Sequence, residues 1–344
     1  MNGSLIKIAE SGFFSDRLVR IGIRNLVRMR LKEELSGSPE EQENRLHRVI
    51  AGLRDSPIAL DVQSANDQHY ELPADFFAKV LGKHLKYSSG YWDSGAKDLD
   101  QAESEMLELY AMRAGLADGQ EVLDLGCGWG SLSLWAAKKF PSSNFTAVSN
   151  SRLQKEFILT TAKELNISNI RVITTDINVL DLDEKFDRII SIEMFEHMRN
   201  YGELLSKVSS WLVPEGKLFV HIFCHRNISY PFEKEGESNW MGRYFFTGGL
   251  MPSLDTLLFF QEHLVIERRW QVSGINYAKT AGQWLKKLDS DRNNVLEILR
   301  GFYGDNEAKI WLQRWRIFFM ACEEQFAFRQ GSEWMVAHYL FGKP

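Results

Sequence analysis

This sequence has few cysteines, no long apolar run and no large excess of charge of one sign. The 344 residues include only three cysteines, Cys127, Cys224 and Cys322, and no two of them form a C-x-x-C pair. This spacing argues against a disulfide framework and a thiolate zinc site, so we expect a reducing compartment and no metal. No apolar run approaches the roughly 20 residues that cross a bilayer, and the N-terminus lacks a signal-peptide core. A cytoplasmic location is the expectation.

The charge balance excludes a further class of partner. A net charge of -5 at pH 7 gives no global attraction to nucleic acid or to anionic lipid. A hydrophobic content of 44% is enough to bury at least one large core. We therefore expect one or two domains and a small-molecule partner, with no nucleic acid.

The first 75 residues have helical patterns. Basic and apolar residues recur there every three or four positions, at Arg17, Arg20, Arg24 and Arg28 and at Val19, Ile23 and Leu26. Ser36-Gly37-Ser38-Pro39 ends this helix. A basic amphipathic helix can lie on a membrane surface, but we favour packing on the main domain or on a second subunit, which would make a homodimer.

From about residue 118, short apolar runs alternate with helical stretches, which is typical of a parallel sheet built from βαβ units. The predicted strands cover Glu121 to Leu125, Asn144 to Ser149, Arg171 to Thr175, Phe186 to Ile192, Lys217 to Phe223, Leu264 to Val272 and Trp334 to Phe341. About sixty aromatic-rich helical residues separate the last two strands. The fold class is therefore α/β, a doubly wound Rossmann-like sheet with N-terminal helices and a helical lid before the last strand.

These patterns divide the chain into four segments. Residues 1–75 form an N-terminal helical segment and residues 76–279 a Rossmann-like core. Residues 280–330 form a helical lid, and residues 331–344 add the final strand to the core sheet.

A glycine-rich turn at the first strand end predicts the cofactor. Val122 to Gly130 reads V-L-D-L-G-C-G-W-G, and Gly126 and Gly128 leave no Cβ between the backbone and a ligand. Dinucleotide binding would need a glycine at Ser131 and an acid on the next strand end, which instead reads Val148-Ser149-Asn150-Ser151. S-adenosylmethionine, held beside Asp124 and the two glycines, is the stronger interpretation.

Polar residues follow the next two strands. Asn150 and Gln154 can hold the ribose hydroxyls, although a polar helix start would explain both. Asp176 can accept a hydrogen bond from the adenine amino group, or it can cap a helix.

Two carboxylates and an imidazole follow the fourth strand, at Glu193, Glu196 and His197. Ligands bind at this edge in open α/β sheets, and residues three apart share a face if a helical turn begins there. Such a group can hold a cation and take its proton, or it can cap a helix. His221 and His225 suggest a metal, but the sequence offers no third ligand.

Seven motifs occur together in order. They are Y-S-S-G-Y-W at Tyr87, V-L-D-L-G-C-G-W-G, E-M-F-E-H, H-I-F-C-H-R-N, R-Y-F-F-T-G-G at Arg243, N-Y-A-K-T at Asn276 and E-W-M-V-A-H-Y-L-F at Glu333. From about residue 75 onward, the chain resembles the cyclopropane fatty acid synthase superfamily, and within it the plant coclaurine N-methyltransferase branch of benzylisoquinoline alkaloid enzymes.

The resemblance implies a class I S-adenosylmethionine-dependent methyltransferase. It implies that Tyr87 and Ser88 contact the methionine end of the cofactor, Asn150 and Gln154 the ribose, and Asp176 the adenine, with Ile177 beside it. It places the late aromatic helices over the substrate, so Phe246, Trp315 and Phe319 become substrate contacts, although such a stripe is more often core.

In the fatty-acid branch, bicarbonate is the base, held by a cysteine, a glutamate, a histidine and a tyrosine. The matching positions here are Ser89, Glu196, His221 and Tyr277. Because the cysteine is missing, we favour N-methylation of a small aromatic or alkyl amine over the alternative, methylene or methyl transfer to unsaturated acyl chains.

N-methylation requires a base. Most alkyl amines are protonated at pH 7, and the nitrogen must lose a proton before or during attack on the sulfonium-bound methyl. The sequence favours His197 as proton acceptor, with a pKa near its ordinary 6.5, and Glu193 and Glu196 as anchors for the ammonium.

Overall fold

A computed structural model describes residues 3–60, 72–236 and 239–344 of the chain. Its main sheet has seven strands, in the order β3-β2-β1-β4-β5-β9-β8. Their bounds are Glu121–Leu125 (β1), Asn144–Ser149 (β2), Ile170–Thr174 (β3), Phe186–Ile192 (β4), Leu212–His225 (β5), Val265–Val272 (β8) and Trp334–Gly342 (β9). A separate pair joins Tyr230–Pro231 (β6) to Leu250–Met251 (β7). The α/β class and all seven predicted strands are confirmed.

The helices flank this sheet. In chain order they are Gly3–Glu10 (α1), Asp16–Glu34 (α2), Pro39–Arg54 (α3), Ala74–Val80 (α4), Leu99–Ala114 (α5), Ser131–Lys139 (α6), Arg152–Glu164 (α7), Tyr201–Trp211 (α8), Trp240–Tyr244 (α9), Gly274–Ser290 (α10), Arg292–Tyr303 (α11) and Asp305–Ala327 (α12). The segment boundaries predicted at 75/76 and 279/280 fall inside α4 and α10. The segment predicted as a lid therefore begins within the helix that follows β8.

The sheet is parallel from β3 to β5 and antiparallel at β9 and β8. The last strand of the chain lies between β5 and β8, so the C-terminal residues lie inside the sheet rather than at its edge. This insertion makes His221 of β5 and His338 of β9 direct cross-strand partners. Neighbouring residues in such a pair project on the same face.

The basic helix α2 packs within the chain. Its buried residues recur at helical spacing, at Val19, Ile23, Val27 and Leu31. Leu26, which we expected in this row, is only half-buried. Two of its arginines pair with acids of α12: Arg20 with Glu323 and Glu324, at 2.7 and 3.0 Å, and Arg24 with Glu324, at 2.9 Å.

A further arginine joins the helical layer to the N-terminus. Arg316 of α12 binds Asp16 at the start of α2 and Asp289 near the end of α10, at 2.7 and 2.6 Å.

Among the helices of the described ranges, none combines the length and hydropathy that crossing a bilayer demands.

Gly274, where β8 turns into α10, gives a test of this packing. A Cβ there would overlap the backbone oxygens of Trp334 and Phe326, which cannot move without disturbing β9 and α12. We expect Gly274→Ala to cost about 1–3 kcal/mol of stability. Differential scanning fluorimetry should show a lower melting temperature.

Gly52 in α3 is the matched control. A Cβ there would meet no described atom within 4 Å. Gly52→Ala should leave the melting temperature unchanged or raise it, because alanine favours the helix. Equal melting temperatures for the two variants would contradict the packing described at Gly274.

Candidate active site

The glycine turn after β1 leaves bare backbone at the edge of the sheet. Gly126 and Gly128 have φ values of +84° and +53°, in the left-handed region that favours glycine. A Cβ on Gly126 would lie 2.8 Å from Cβ of Met194, so this position has no room for a side chain. A Cβ on Gly128, by contrast, would meet no described atom within 4 Å and would face open space.

Asp124, at the end of β1, helps to fix this turn. Its buried carboxylate accepts a 2.6 Å hydrogen bond from Ser133 Oγ in α6. Burial raises the pKa of Asp124 to about 6, and the bond from Ser133 opposes that rise. Asp124 therefore ties the strand end to the next helix.

Two adjoining cavities meet at the glycine turn and share Gly126, Gly128, Gln154 and Glu193. The first is lined by Asn150 and Ile177, which were predicted to contact the adenosine, and by the predicted proton acceptor His197. The second contains the predicted methionine contacts Tyr87 and Ser88, with Asp124 and Lys86. All but one of the predicted cofactor residues thus line one continuous hollow.

Asp176 is the exception. Its carboxylate accepts hydrogen bonds from the backbone N and Nδ2 of Asn178, at 2.8 and 3.0 Å, and so it caps a turn. Only its neighbours Thr175 and Ile177 line the cavity. This geometry agrees with the alternative prediction for Asp176, that its carboxylate acts as a cap.

Gln154 presents a donor to the hollow. Its Oε1 accepts a 2.5 Å hydrogen bond from Ser149 Oγ, which fixes the amide orientation. Its buried Nε2 has no hydrogen-bond partner within the described part of the chain. Since buried donors are normally paired, this amide fits a ligand with hydroxyl acceptors, and together with the open face of Gly128 it fits a nucleoside.

Glu193 is the most constrained carboxylate of the site. It follows β4 with φ of +48°, and its backbone N donates to O of His221 on the neighbouring strand at 2.9 Å. Its Oε1 accepts from Ser89 N and lies within hydrogen-bond distance of His221 Nε2, both at 3.0 Å, and its Oε2 accepts from Tyr277 OH at 2.7 Å. Burial raises its pKa, whereas Lys86 and Tyr277 act to lower it.

Glu196 is held separately. Its Oε1 accepts a 2.6 Å bond from Phe223 N, and its buried Oε2 has no partner among the described residues. Burial and the nearby Glu193 raise the pKa of Glu196 well above the ordinary value. Of the predicted group of Ser89, Glu196, His221 and Tyr277, three contact Glu193, whereas Glu196 is held by Phe223 N.

The predicted base also differs from expectation. His197 lies in a short 3-10 turn, Phe195–His197, and stacks on Phe246 with ring centroids 4.5 Å apart. Burial lowers the pKa of His197 to about 4, against a smaller rise from Glu193. Burial therefore favours the neutral form of this imidazole at pH 7.

The N-Y-A-K-T motif explains how the loop of Ser89 is held. Asn276 and Thr280 lie one turn apart in α10, on either side of Tyr277. Asn276 Oδ1 accepts from Trp92 N at 2.6 Å, and Thr280 Oγ1 accepts from Gly90 N at 3.0 Å. The same helix thus holds the Y-S-S-G-Y-W loop and places Tyr277 next to Glu193.

Several buried polar residues of the site were missed from the sequence. Lys86 Nζ donates to Ser88 Oγ and, at 2.7 Å, to Ser89 O, and burial lowers its pKa to about 8. Tyr110 and His338 both bind Nδ1 of His221 at 2.9 Å. The signal available was weak: Lys86 directly precedes a recognised motif, and His338 lies within another.

The aromatic residues predicted as substrate contacts lie in two different environments. Trp315 and Phe319 are fully buried, and their rings pack against each other at 5.6 Å. Phe319 also packs on Trp284, so these two predicted substrate contacts belong to the core, as the alternative interpretation held. Phe246 remains beside the site through His197.

A larger cavity of about 480 Å³ lies behind Phe246. Its wall is mainly apolar and includes Val27 of α2, Trp240, Ala321 and Phe232. The ring of Phe232 is 5.0 Å from that of Phe246, which in turn stacks on His197. Phe246 therefore contacts both Phe232, in the wall of this apolar cavity, and His197, at the acidic edge of the sheet.

His225 stabilises a loop. Its Nδ1 accepts from the backbone N of Asn227 and of Ile228, both at 3.0 Å, and its Nε2 is 3.4 Å from Glu333. Within the described ranges, no three histidine, cysteine or acidic side chains converge as metal ligands.

Comparison with known proteins gives consistent matches. The model of the family described as mycolic acid cyclopropane synthetase matches residues 60–335. The (S)-coclaurine N-methyltransferase of Thalictrum flavum subsp. glaucum is 38% identical, over 98% of this chain and 95% of its own length. A crystal structure of coclaurine N-methyltransferase bound to N-methylheliamine and SAH superposes with a TM-score of 0.95, at 36% identity, over 99% of both chains.

A lipid-modifying relative is more distant. The cyclopropane-fatty-acyl-phospholipid synthase of Escherichia coli (strain K12) is 26% identical, over 94% of this chain and 77% of its own length.

Gly128 tests the cofactor hollow. A side chain there would enter the space beside the glycine turn, so Gly128→Val should weaken S-adenosylmethionine binding at least about tenfold. Isothermal titration calorimetry measures this directly. Gly119→Val is the matched control, because Gly119 also has positive φ and no described atom near an added Cβ, but lies before β1. Equal losses in both variants would show that backbone strain alone is responsible.

Proposed function

The chain belongs to the mycolic acid cyclopropane synthetase family, and from that premise we propose that it is an S-adenosylmethionine-dependent N-methyltransferase of small amines. One observation carries the proposal: a Glu193 carboxylate bound by Ser89 N, His221 and Tyr277 at the carboxyl end of the sheet. We propose a benzylisoquinoline-like or phenylalkylamine substrate. A cytoplasmic location and a homodimer stay predictions.

The chain's own residues account for cofactor binding. We assign Tyr87 and Ser88 to the methionine end and Asn150 and Gln154 to the ribose, with Ile177 against the adenine. Asp124 holds the glycine turn through Ser133. When bound, S-adenosylmethionine supplies an electrophilic methyl group on its sulfonium.

Glu193 is the proposed proton acceptor. An amine nitrogen must give up a proton to expose its lone pair, and a base whose pKa is raised toward 7 accepts that proton more readily. Burial raises the pKa of Glu193 and lowers that of His197 to about 4, so burial strengthens Glu193 as a base and weakens His197. The neutral His197 can accept a hydrogen bond from the amine and orient it.

The donors around Glu193 also favour an amine over a lipid substrate. In the fatty-acid branch, the equivalent donors hold a bicarbonate base. Here Ser89 N, His221 and Tyr277 bind a carboxylate that belongs to the chain itself. A base fixed to the backbone removes the need for a bound anion.

The N-terminal helix supports the same choice. Attachment to anionic lipid would need its basic side chains to be available. Arg20 and Arg24 instead pair with Glu323 and Glu324 of α12. We therefore favour a substrate that reaches the enzyme from solution.

The apolar cavity behind Phe246 fits the aromatic body of such an amine. Ligand sites combine apolar walls with a few polar groups, and Phe232 in the wall of this cavity is linked to His197 through the ring of Phe246. Rings such as Trp240 can also attract the cationic form of the amine. We propose that the ring system lies in this cavity and that the nitrogen points toward Glu193.

A labelling experiment tests the activity and the base together. Methyl-labelled S-adenosylmethionine, offered with an amine panel and with unsaturated phospholipid vesicles, should label an amine. Glu193→Gln should lower kcat by about 10²- to 10⁴-fold while the affinity for S-adenosylmethionine stays near normal. Glu215→Gln, an exposed acid of β5, serves as control and should keep full activity. Label found only in lipid, or full activity in Glu193→Gln, would refute the proposal.

Filling the apolar cavity tests where the substrate lies. Ala321→Trp should raise KM for the amine by about tenfold or more, because the added ring occupies the pocket. Binding of S-adenosylmethionine should not change. Ala51→Trp, at an exposed position of α3, controls for the added bulk. An unchanged KM in a folded Ala321→Trp protein would place the substrate elsewhere.

A further inference from the structure

The hydrogen bonds behind Glu193 form a chain that ends in a guanidinium. Glu193 Oε1 is 3.0 Å from Nε2 of His221, and Nδ1 of His221 is 2.9 Å from Nε2 of His338. Nδ1 of His338 is 2.7 Å from a terminal nitrogen of Arg113. Both imidazoles are fully buried, whereas Arg113 is half-buried.

The direction of every bond in this chain follows from its last member. Arginine only donates, so Nδ1 of His338 is an acceptor. Burial holds the pKa of His338 and His221 well below the ordinary value, so each neutral ring carries one proton. The proton of His338 therefore lies on Nε2 and is donated to Nδ1 of His221. The proton of His221 must then lie on Nε2, facing Glu193.

A second donor reaches the same nitrogen. The Tyr110 hydroxyl is 2.9 Å from Nδ1 of His221. Because that nitrogen carries no proton, the hydroxyl of Tyr110 donates to it. Tyr110 and His338 thus both face the unprotonated Nδ1 of His221.

Sequence spacing builds this arrangement. Tyr110 and Arg113 are three residues apart in α5, so they share the helix face that lies over the sheet. His221 and His338 are cross-strand partners on β5 and β9. The charged or titratable groups that bear on His221 are therefore Glu193, Tyr110, His338, Arg113 and Lys86.

We propose that Arg113 and His338 are positioning residues, which fix the Nε2–H tautomer of His221 so that it donates to Glu193. The inference rests on the proposed function, in which Glu193 takes the proton of the amine. With the opposite tautomer, a lone pair of His221 would face the carboxylate. Glu193 would then have to be protonated to make that bond, and it could not act as a base.

This series of hydrogen bonds holds His221 in one tautomer and does not carry the proton. A guanidinium cannot accept a proton, so a proton passed from Glu193 through both histidines would have no acceptor at Arg113. The proton taken from the amine therefore leaves Glu193 on the side of the substrate cavity.

Nitrogen NMR of the full-length protein tests the tautomers without any substrate. Long-range ¹H–¹⁵N spectra of protein labelled with ¹⁵N-histidine distinguish protonated from unprotonated ring nitrogens. His221→Gln and His338→Gln spectra assign the two rings. We expect both at pH 7 as Nε2–H tautomers. An Nδ1–H signal from either ring would overturn the inference and leave the proposed activity untouched.

A double-variant cycle tests the consequence for turnover. Arg113→Ala removes the group that fixes the tautomer of His338, and Tyr110→Phe removes the other donor to Nδ1 of His221, so each variant alone should leave one donor to that nitrogen in place. The double variant should lose about 10²- to 10⁴-fold in kcat, as expected when a catalytic histidine has the wrong tautomer, and more than the product of the single losses. Arg171→Ala, a surface ion pair with Glu184, controls for a lost arginine. Losses that simply multiply would refute convergence on His221.

Discussion

The organisation of this site depends on keeping one buried carboxylate charged. The side chain of Glu193 is only 9% exposed, and an ionised group so enclosed is costly unless donors and opposite charges surround it. Three donors from three parts of the chain meet it: a loop amide, a strand histidine and a helix tyrosine. Removing any one donor leaves a charge that the remaining two must hold, so the loop, the sheet and helix α10 are linked through one side chain.

The topology of the sheet makes this possible. In a purely parallel sheet, the strand beside β5 would be followed by a helix and would present its carboxyl end to the ligand. Here β9 runs antiparallel between β5 and β8, so its middle residue, His338, lies beside His221. The C-terminal strand therefore supplies the second layer of hydrogen bonds behind the site, and α5 completes it with Tyr110 and Arg113.

Local patterns predicted the frame of the protein well, because they depend on neighbours in sequence. β1, β2 and β4 have the predicted bounds, and the glycine turn and the E-M-F-E-H segment lie where ligands bind in such sheets. Contacts between residues that are far apart in sequence could not be predicted from local patterns. That Ser89 and Tyr277 bind Glu193 rather than Glu196 depends on α10 docking a loop 184 to 190 residues away in sequence. The lowered pKa of His197 likewise reflects burial that no local pattern reveals.

Glu193 and Glu196 illustrate why spacing alone could not assign the base. Two carboxylates three residues apart looked equivalent in sequence, and a shared helical face would have made them so. The positive φ of Glu193 breaks that symmetry, since it ends the β4 ladder and directs this side chain toward β5, while the short turn that follows aims Glu196 at Phe223 N. Because two like charges cannot both ionise cheaply in one enclosed site, the carboxylate with more donors holds its charge more readily, and the nearby Glu193 raises the pKa of Glu196. The division of roles between them thus follows from backbone conformation first and from electrostatics second.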